Sequence, residues 1–202
     1  MIRRSILALT LLVLAAAPVS AQDATPVPIR VALDTTAGTV VIELDARAPI
    51  TVANFLRYVD EDRLDGTSFY RSMNLGAVGG LIQGGPSGAS DRVLPGIAHE
   101  PTDQTGLRHG DGVVSMARFA PGTATGDFFI IVGNNLGSLD ASASDPGFAA
   151  FGRVVEGMDV VRAILDAPRS PTAGEGVMVG QMLEPKIEIR DARRVEQTAS
   201  GL

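Results

Sequence analysis

Apolar and polar residues alternate along several short stretches of this chain and recur at helical spacing in two others. Ile29 to Asp34 alternates, as does Thr39 to Leu44, and Thr36-Ala37-Gly38 lies between them. That pattern predicts a β-hairpin. In the stretch that follows, Val52, Phe55, Leu56 and Val59 fall on one helix face, with Pro49 suited to the first turn and Thr51 or a near neighbour to the cap. Asp65-Gly66 signals a turn into a strand from Thr67 to Arg71, and after a run of glycines the chain returns as Leu81-Ile82-Gln83. Residues 85–110 lose all periodicity and read as loop. Further strands are predicted at Val113–Met116, Asp127–Val132, Phe148–Val155 and from Lys186 to between Arg190 and Arg193. A second helix opens near Glu156-Gly157-Met158-Asp159 and carries Val160, Val161, Ile164 and Leu165.

Eight short strands and two helices, with no internal repeat, do not make alternating βαβ units. The expected fold is mainly β: an eight-stranded antiparallel closed barrel capped by two α-helices. The 23 glycines and 12 prolines among 202 residues suit a chain with many turns.

The N-terminus changes the picture. Met1-Ile2-Arg3-Arg4 is basic, Ile6 to Ala17 is apolar, and Val19-Ser20-Ala21 has the small-x-small form of a signal peptidase site. The apolar run is short of the ~20 residues that span a bilayer. The expected organisation is a signal peptide over 1–21, a flexible lead-in over 22–28, one domain over 29–194 and a tail over 195–202. The mature protein is expected to be exported, without a stable membrane span. There is no cysteine, which excludes disulfides and cysteine-based zinc sites. The net charge is −6, and −8 once Arg3 and Arg4 leave with the signal peptide. Such an acidic chain is a poor partner for nucleic acid.

His99, Glu100, His109 and Asp111 match no zinc spacing and lie in loop, so no metal and no cofactor is expected. Residues 76–85 are glycine-rich but lack a phosphate-loop lysine. Nothing resembles a coiled coil or a long apolar surface helix, and a monomer is expected. The unusual feature is a pair of long polar side chains, Arg71 and Gln83, on short strands of otherwise small or apolar residues.

Five stretches in order, "APITVANFLRYV", "DGTSFYR", "LIQGG", "GVVSMAR…PGTATGDFFI" and "FAAFGRVVEGMDVVRAI", resemble the cyclophilin-type peptidyl-prolyl isomerases over residues 29 to 194. His99-Glu100-Pro101 and the long middle section are similar to exported bacterial members. That resemblance implies a periplasmic or secreted location, proline-containing polypeptide substrates and catalysis of cis/trans isomerisation at X–Pro bonds. It implies Arg71 as the catalytic arginine, Gln83 as its companion glutamine and Phe129 as the floor of a proline pocket. Leu81, Ala117, Leu139, Phe69, Arg118, Asp127 and Phe148 are the implied substrate-contacting positions, with Arg118 acting through its backbone.

Several positions depart from the family pattern. Leu81 stands where methionine is usual, Arg118 for asparagine, Asp127 for glutamine, Ser138 for an aromatic residue and Phe148 for histidine. The interval from Arg71 to Gln83 is about four residues longer than in short members, with Val78, Gly79 and Gly80 where an aromatic is expected. These changes imply altered contacts to peptides and to cyclosporin and leave the Arg71–Gln83 pair intact. They also open a second reading, a proline-peptide-binding chaperone or scaffold with weak turnover or none.

Overall fold

The structure is a computed structural model that describes residues 28–87, 91–134 and 139–195. The signal peptide, all of the lead-in except Pro28, Ser138 and the tail after Val195 lie outside the described residues. Eight strands form a closed antiparallel barrel: β1 (Arg30–Thr35), β2 (Gly38–Leu44), β3 (Thr67–Asn74), β4 (Gly80–Gly85), β5 (Val113–Met116), β6 (Phe128–Val132), β7 (Ala149–Glu156) and β8 (Met182–Arg194). They run around the barrel in the order β1-β2-β7-β5-β6-β4-β3-β8. Helix α1 (Pro49–Asp60) packs near β7 and β8, and α3 (Met158–Asp166) packs against β2, β3, β4 and β6. Between them, one turn of helix, α2 (Thr102–Thr105), interrupts the long loop that carried no helical period.

The fold follows the alternation of the strands. On β6 Phe128 and Ile130 enter the barrel interior, while Phe129 and Ile131 belong to a separate cluster on the outer face. On β4 Ile82 points inward and Leu81 outward by the same period of two. Inside, Phe128 meets Phe55 of α1 edge-on at 5.5 Å between ring centroids and Phe69 of β3 at 5.7 Å. Phe55 also leans on Phe151 of β7 at 5.1 Å. These aromatic contacts fasten α1 to the barrel.

The largest departure from the expected boundaries is β8. It begins at Met182, ahead of Pro185, a residue that argues against a strand when read locally. Pairing on both sides overrides that signal: β8 bonds to β1 along one edge and to β3 along the other.

Helix α1 takes its N-terminal cap from elsewhere in the chain. Ala48 at its start has no side chain to offer, and Thr51 lies inside the first turn. The buried carboxylate of Glu100 accepts the backbone N–H of Ile50 at 3.1 Å, that of Thr51 at 2.7 Å and the Thr51 hydroxyl at 2.6 Å. The expected cap at Thr51 is thus corrected: Thr51 donates to the residue that caps. A carboxylate here satisfies orphan donors and meets the positive end of the helix dipole. Glu100→Ala should destabilise the protein by about 2–3 kcal/mol in urea denaturation, with Glu100→Gln losing roughly half as much.

Candidate active site

A β-bulge builds the centre of the site. Opposite β4, Phe69 pairs with Gly84 and Arg71 with Gln83, so Tyr70 is an extra residue on β3. Phe69 turns into the barrel interior, and both Tyr70 and Arg71 reach the amide of Gln83. On its other side Gln83 pairs with Phe129 of β6. Arg71, Gln83 and Phe129 therefore lie in one row across three neighbouring strands.

Two glutamines hold the guanidinium. Gln83 Oε1 accepts from Arg71 Nη1 at 2.8 Å. Gln181 Oε1 accepts from Nε at 2.9 Å and from Nη2 at 2.7 Å. Met73 Sδ lies 3.9 Å from Nη2. Among the described residues no carboxylate comes within ion-pairing distance of Arg71. Burial lowers the Arg71 pKa from its ordinary value, yet an arginine side chain stays protonated in proteins. The cation is held in place without being neutralised; Nη1 keeps one N–H for another partner, while the second N–H of Nη2 faces the Met73 sulfur.

A directional chain fixes the Gln83 amide. Its Nε2 donates to the Tyr70 hydroxyl at 2.7 Å, and that hydroxyl donates to Asp127 Oδ1 at 3.4 Å. Asp127 also accepts the Ser87 N–H at 2.9 Å. Burial pushes up the pKa of both Tyr70 and Asp127, and the neighbouring Asp127 charge adds to the effect on Tyr70. The tyrosine stays a neutral donor, and Gln83 must present its oxygen to Arg71.

The apolar half is the outer-face cluster of Leu81, Phe129 and Ile131, with Met73, Ala117, Leu139 and Phe148 packed against it. Phe148 meets Phe129 edge-on at 5.4 Å. On another side His109 stacks on Phe129, with centroids 6.2 Å apart and planes 14° from parallel. His109 Nδ1 lies 2.7 Å from Asp140 Oδ1 and Nε2 lies 2.9 Å from Ser115 Oγ. Burial lowers the His109 pKa, and the Asp140 carboxylate only partly opposes it. The neutral ring donates from Nδ1 to Asp140 and accepts the Ser115 hydroxyl at Nε2. Although these three residues share the order of a hydrolytic triad, Ser115 is fully buried. They brace the pocket floor instead.

That depressed pKa has a stability consequence. Above the unfolded-state pKa of ~6.5, His109 is neutral in both states. As pH falls below it, the unfolded chain takes up a proton first and stability declines, levelling off below the folded-state pKa. Urea midpoints measured from pH 7.5 to 4.5 should show this slope, and His109→Gln should flatten it.

Arg71, Gln83, Phe129, Leu81, Ala117, Leu139 and Phe148 come together on the outer face. One expected substrate contact needs correction. Phe69 is fully buried in the barrel interior against Phe128, because the bulge begins one residue after it. Asp127 is half-buried, and its Oδ1 accepts from Tyr70 and Ser87. The Arg118 side chain is engaged within the protein: the guanidinium lies 5.0 Å over the Phe148 ring and donates from Nε and Nη2 to the Gly147 carbonyl. That side chain is only 7% exposed. Sequence reasoning missed Tyr70, His109, Asp140 and Gln181. Gln181 stands 110 positions from Arg71, and no local pattern marks it.

Comparisons with known proteins agree with this fold. A family model described as cyclophilin type peptidyl-prolyl cis-trans isomerase matches residues 30–192. A peptidyl-prolyl cis-trans isomerase of Streptomyces antibioticus is 43% identical over 141 residues, covering 66% of this chain and 81% of that protein. Peptidyl-prolyl cis-trans isomerase A of Dickeya dadantii is 36% identical over 166 residues, 80% of this chain and 84% of its own length. Among solved structures, a cyclophilin type isomerase of Cryptosporidium parvum superposes with a TM-score of 0.65 at 20% identity, covering 85% of this chain and 100% of that one.

Proposed function

The chain belongs to the cyclophilin-type peptidyl-prolyl cis-trans isomerase family, and on that premise we propose that Arg71 lowers the barrier to rotation at X–Pro bonds bound over Phe129. The trans form of such a bond is favoured by only ≈ 0.5–1 kcal/mol, while the barrier is ~18–20 kcal/mol. No covalent bond is made or broken. In the planar amide the nitrogen lone pair is delocalised; in the twisted transition state it returns to nitrogen and can accept a hydrogen bond. A fixed guanidinium aimed at that nitrogen binds the twisted form better than either planar form. Arginine suits the task through its permanent charge and rigid donor fork.

The observation that carries this reading is the guanidinium pinned by two glutamine oxygens, with no carboxylate in ion-pairing reach among the described residues, beside the outer-face apolar cluster. Leu81, Phe129 and Leu139 would grip the proline ring while the preceding carbonyl turns. Isomerisation of an Ala-Pro peptide, followed with the protein and its Arg71→Ala variant, tests it directly. Little acceleration by the unaltered protein would sink it.

One feature favours the binding module as a second reading. Phe148 and the Arg118 guanidinium cover part of the cluster, and Phe129 is only 4% exposed. A proline-binding module would show little turnover and would lose affinity in Arg71→Ala, whereas the enzyme loses rate and keeps affinity. The clients proposed are unfolded polypeptides outside the cytoplasm. Among the described residues no helix is long and apolar enough to cross a membrane. Export rests on the signal-like sequence of residues 1–21. N-terminal sequencing of the protein recovered from an exporting bacterial host should begin at Gln22; retention of Met1 would refute export.

A further inference from the structure

Arginine is seldom buried unless it is paired. The Arg118 side chain is buried, and its carboxylate partner stands at the edge of ion-pairing reach: Asp145 Oδ1 lies 3.8 Å from Nη2, on a side chain that is 65% exposed. That same oxygen already accepts the Gly147 N–H at 2.8 Å. What Arg118 meets instead is backbone and ring. Nε donates to the Gly147 carbonyl at 3.0 Å and Nη2 donates to the same oxygen, while Nη1 reaches the Phe119 carbonyl at 3.4 Å. The guanidinium carbon lies over the Phe148 ring.

These partners bracket the outer-face cluster. Arg118 follows Ala117, Gly147 precedes Phe148, and both Ala117 and Phe148 pack against the cluster that holds Phe129. The peptide unit joining Gly147 to Phe148 is gripped at both ends. Its carbonyl accepts the Arg118 fork, and its N–H donates to the Leu139 carbonyl at 2.9 Å. Gly147 has φ +61°, and a Cβ there would come within 2.6 Å of the Leu139 carbonyl oxygen and of the backbone of Asp140 and Ala141. Only glycine fits so close an approach at that φ. The segment from Leu139 to Phe148 is therefore a loop pinched at its neck, with a side chain of the cluster on either side of the pinch. Arg118 holds that neck from the end of β5. A guanidinium suits the place because it offers donors at its edge and a cation to the face of a ring.

We propose that Arg118 is a positioning residue for the proline site and acts through Phe148, holding that ring against Phe129 as one wall of the pocket. Phe148 and Phe129 stand nearly perpendicular, at 88°, so a shift of the held ring changes the space over the floor. The guanidinium acts through the ring and not by its own contact with substrate. This rests on the reading of Phe129 as the floor of the isomerase site.

The test measures KM and kcat for a tetrapeptide with one Ala-Pro bond. It compares the unaltered protein with Arg118→Ala, Phe148→Leu and the double variant, each checked for fold by urea denaturation. Arg118→Ala should raise KM about tenfold and leave kcat within twofold, because a wall that grips planar and twisted forms alike contributes uniform binding. In the Phe148→Leu background the same change should move KM by less than twofold, since the ring it acts through is gone. A staple that served stability alone would not show this dependence. An unchanged KM, a loss confined to kcat, or an equal rise of KM in both backgrounds overturns the proposal. Should Arg118→Ala fail to fold, Arg118→Lys replaces it in the cycle; it keeps a cation without the fork and should raise KM about threefold. If the unaltered protein does not turn over the peptide, the catalytic reading of Arg71 fails. Nuclear Overhauser contacts between the Phe129 and Phe148 rings then decide the clamp without substrate. They should weaken at least threefold in the Arg118 variant, and unchanged intensities overturn the proposal.

Discussion

Arg71→Ala should lower kcat/KM for an Ala-Pro peptide by about 10²–10³-fold, the usual loss when one preorganised donor to a transition state is removed. That corresponds to ~2.7–4 kcal/mol of transition-state binding. The fold should survive, because the hydrogen bonds and sulfur contact of the Arg71 side chain go to Gln83, Gln181 and Met73 on the outer face. Arg71→Lys tells charge from geometry. Lysine keeps the positive charge but cannot satisfy both glutamine oxygens in one plane. It should recover less than a tenth of the lost activity. Magnetisation-exchange NMR on a proline peptide measures both variants without a coupled assay, and urea denaturation confirms their stability. Arg71→Ala activity within threefold of the unaltered protein would remove this residue from the mechanism.

Phe128→Ala should cost about 3–5 kcal/mol of stability, in the range for emptying a large aromatic site in a packed core. The ring is fully buried between Phe55 of α1 and Phe69 of β3. Its loss leaves a void where a helix and two strands meet. For a domain of this size the melting temperature should fall by roughly 10 °C. A double-mutant cycle with Phe55→Ala should show coupling near 1 kcal/mol, because the two rings touch edge to face. A drop below 1 kcal/mol for Phe128→Ala alone would mean that the barrel interior repacks freely.

Neighbouring residues show which parts of this molecule the sequence expresses. Phe128 and Phe129 are chemically identical, yet one packs inside the barrel and the other in the outer-face cluster beside Arg71 and Gln83. Strand alternation alone assigns them, since consecutive side chains leave a strand on opposite faces. The eight strands and both long helices were legible for the same reason: period and turn residues are local. The bulge at Tyr70 was not. One extra residue on β3 decides that Phe69 faces inward while Arg71 faces the site, and nothing in Phe69-Tyr70-Arg71 signals it before β4 is aligned. The partners of these side chains were equally hidden. Gln181 meets Arg71 and Glu100 meets Thr51 only after the barrel closes, and both are ordinary loop residues when read in sequence. Phe148 and Arg118 each stood out as a departure from the family pattern. Their pairing is a fact of three dimensions, because each substitution makes sense only against the other.

Strand β8 has a further meaning for how the molecule comes into being. It pairs with β1 at one edge and β3 at the other, and brings Arg194 opposite Val31. The first strand to appear in the chain must therefore wait for the last. Until residues 182–194 are available, β1 and β3 each present an unpaired edge, the kind of surface on which chains aggregate. Contacts so distant along the sequence also make folding slow. Gln181 sits at the threshold of that final strand, so Arg71 gains its second anchor only at closure. A chain emerging from a ribosome would thus hold Arg71 by Gln83 alone until residues 181–194 are free to join β1 and β3.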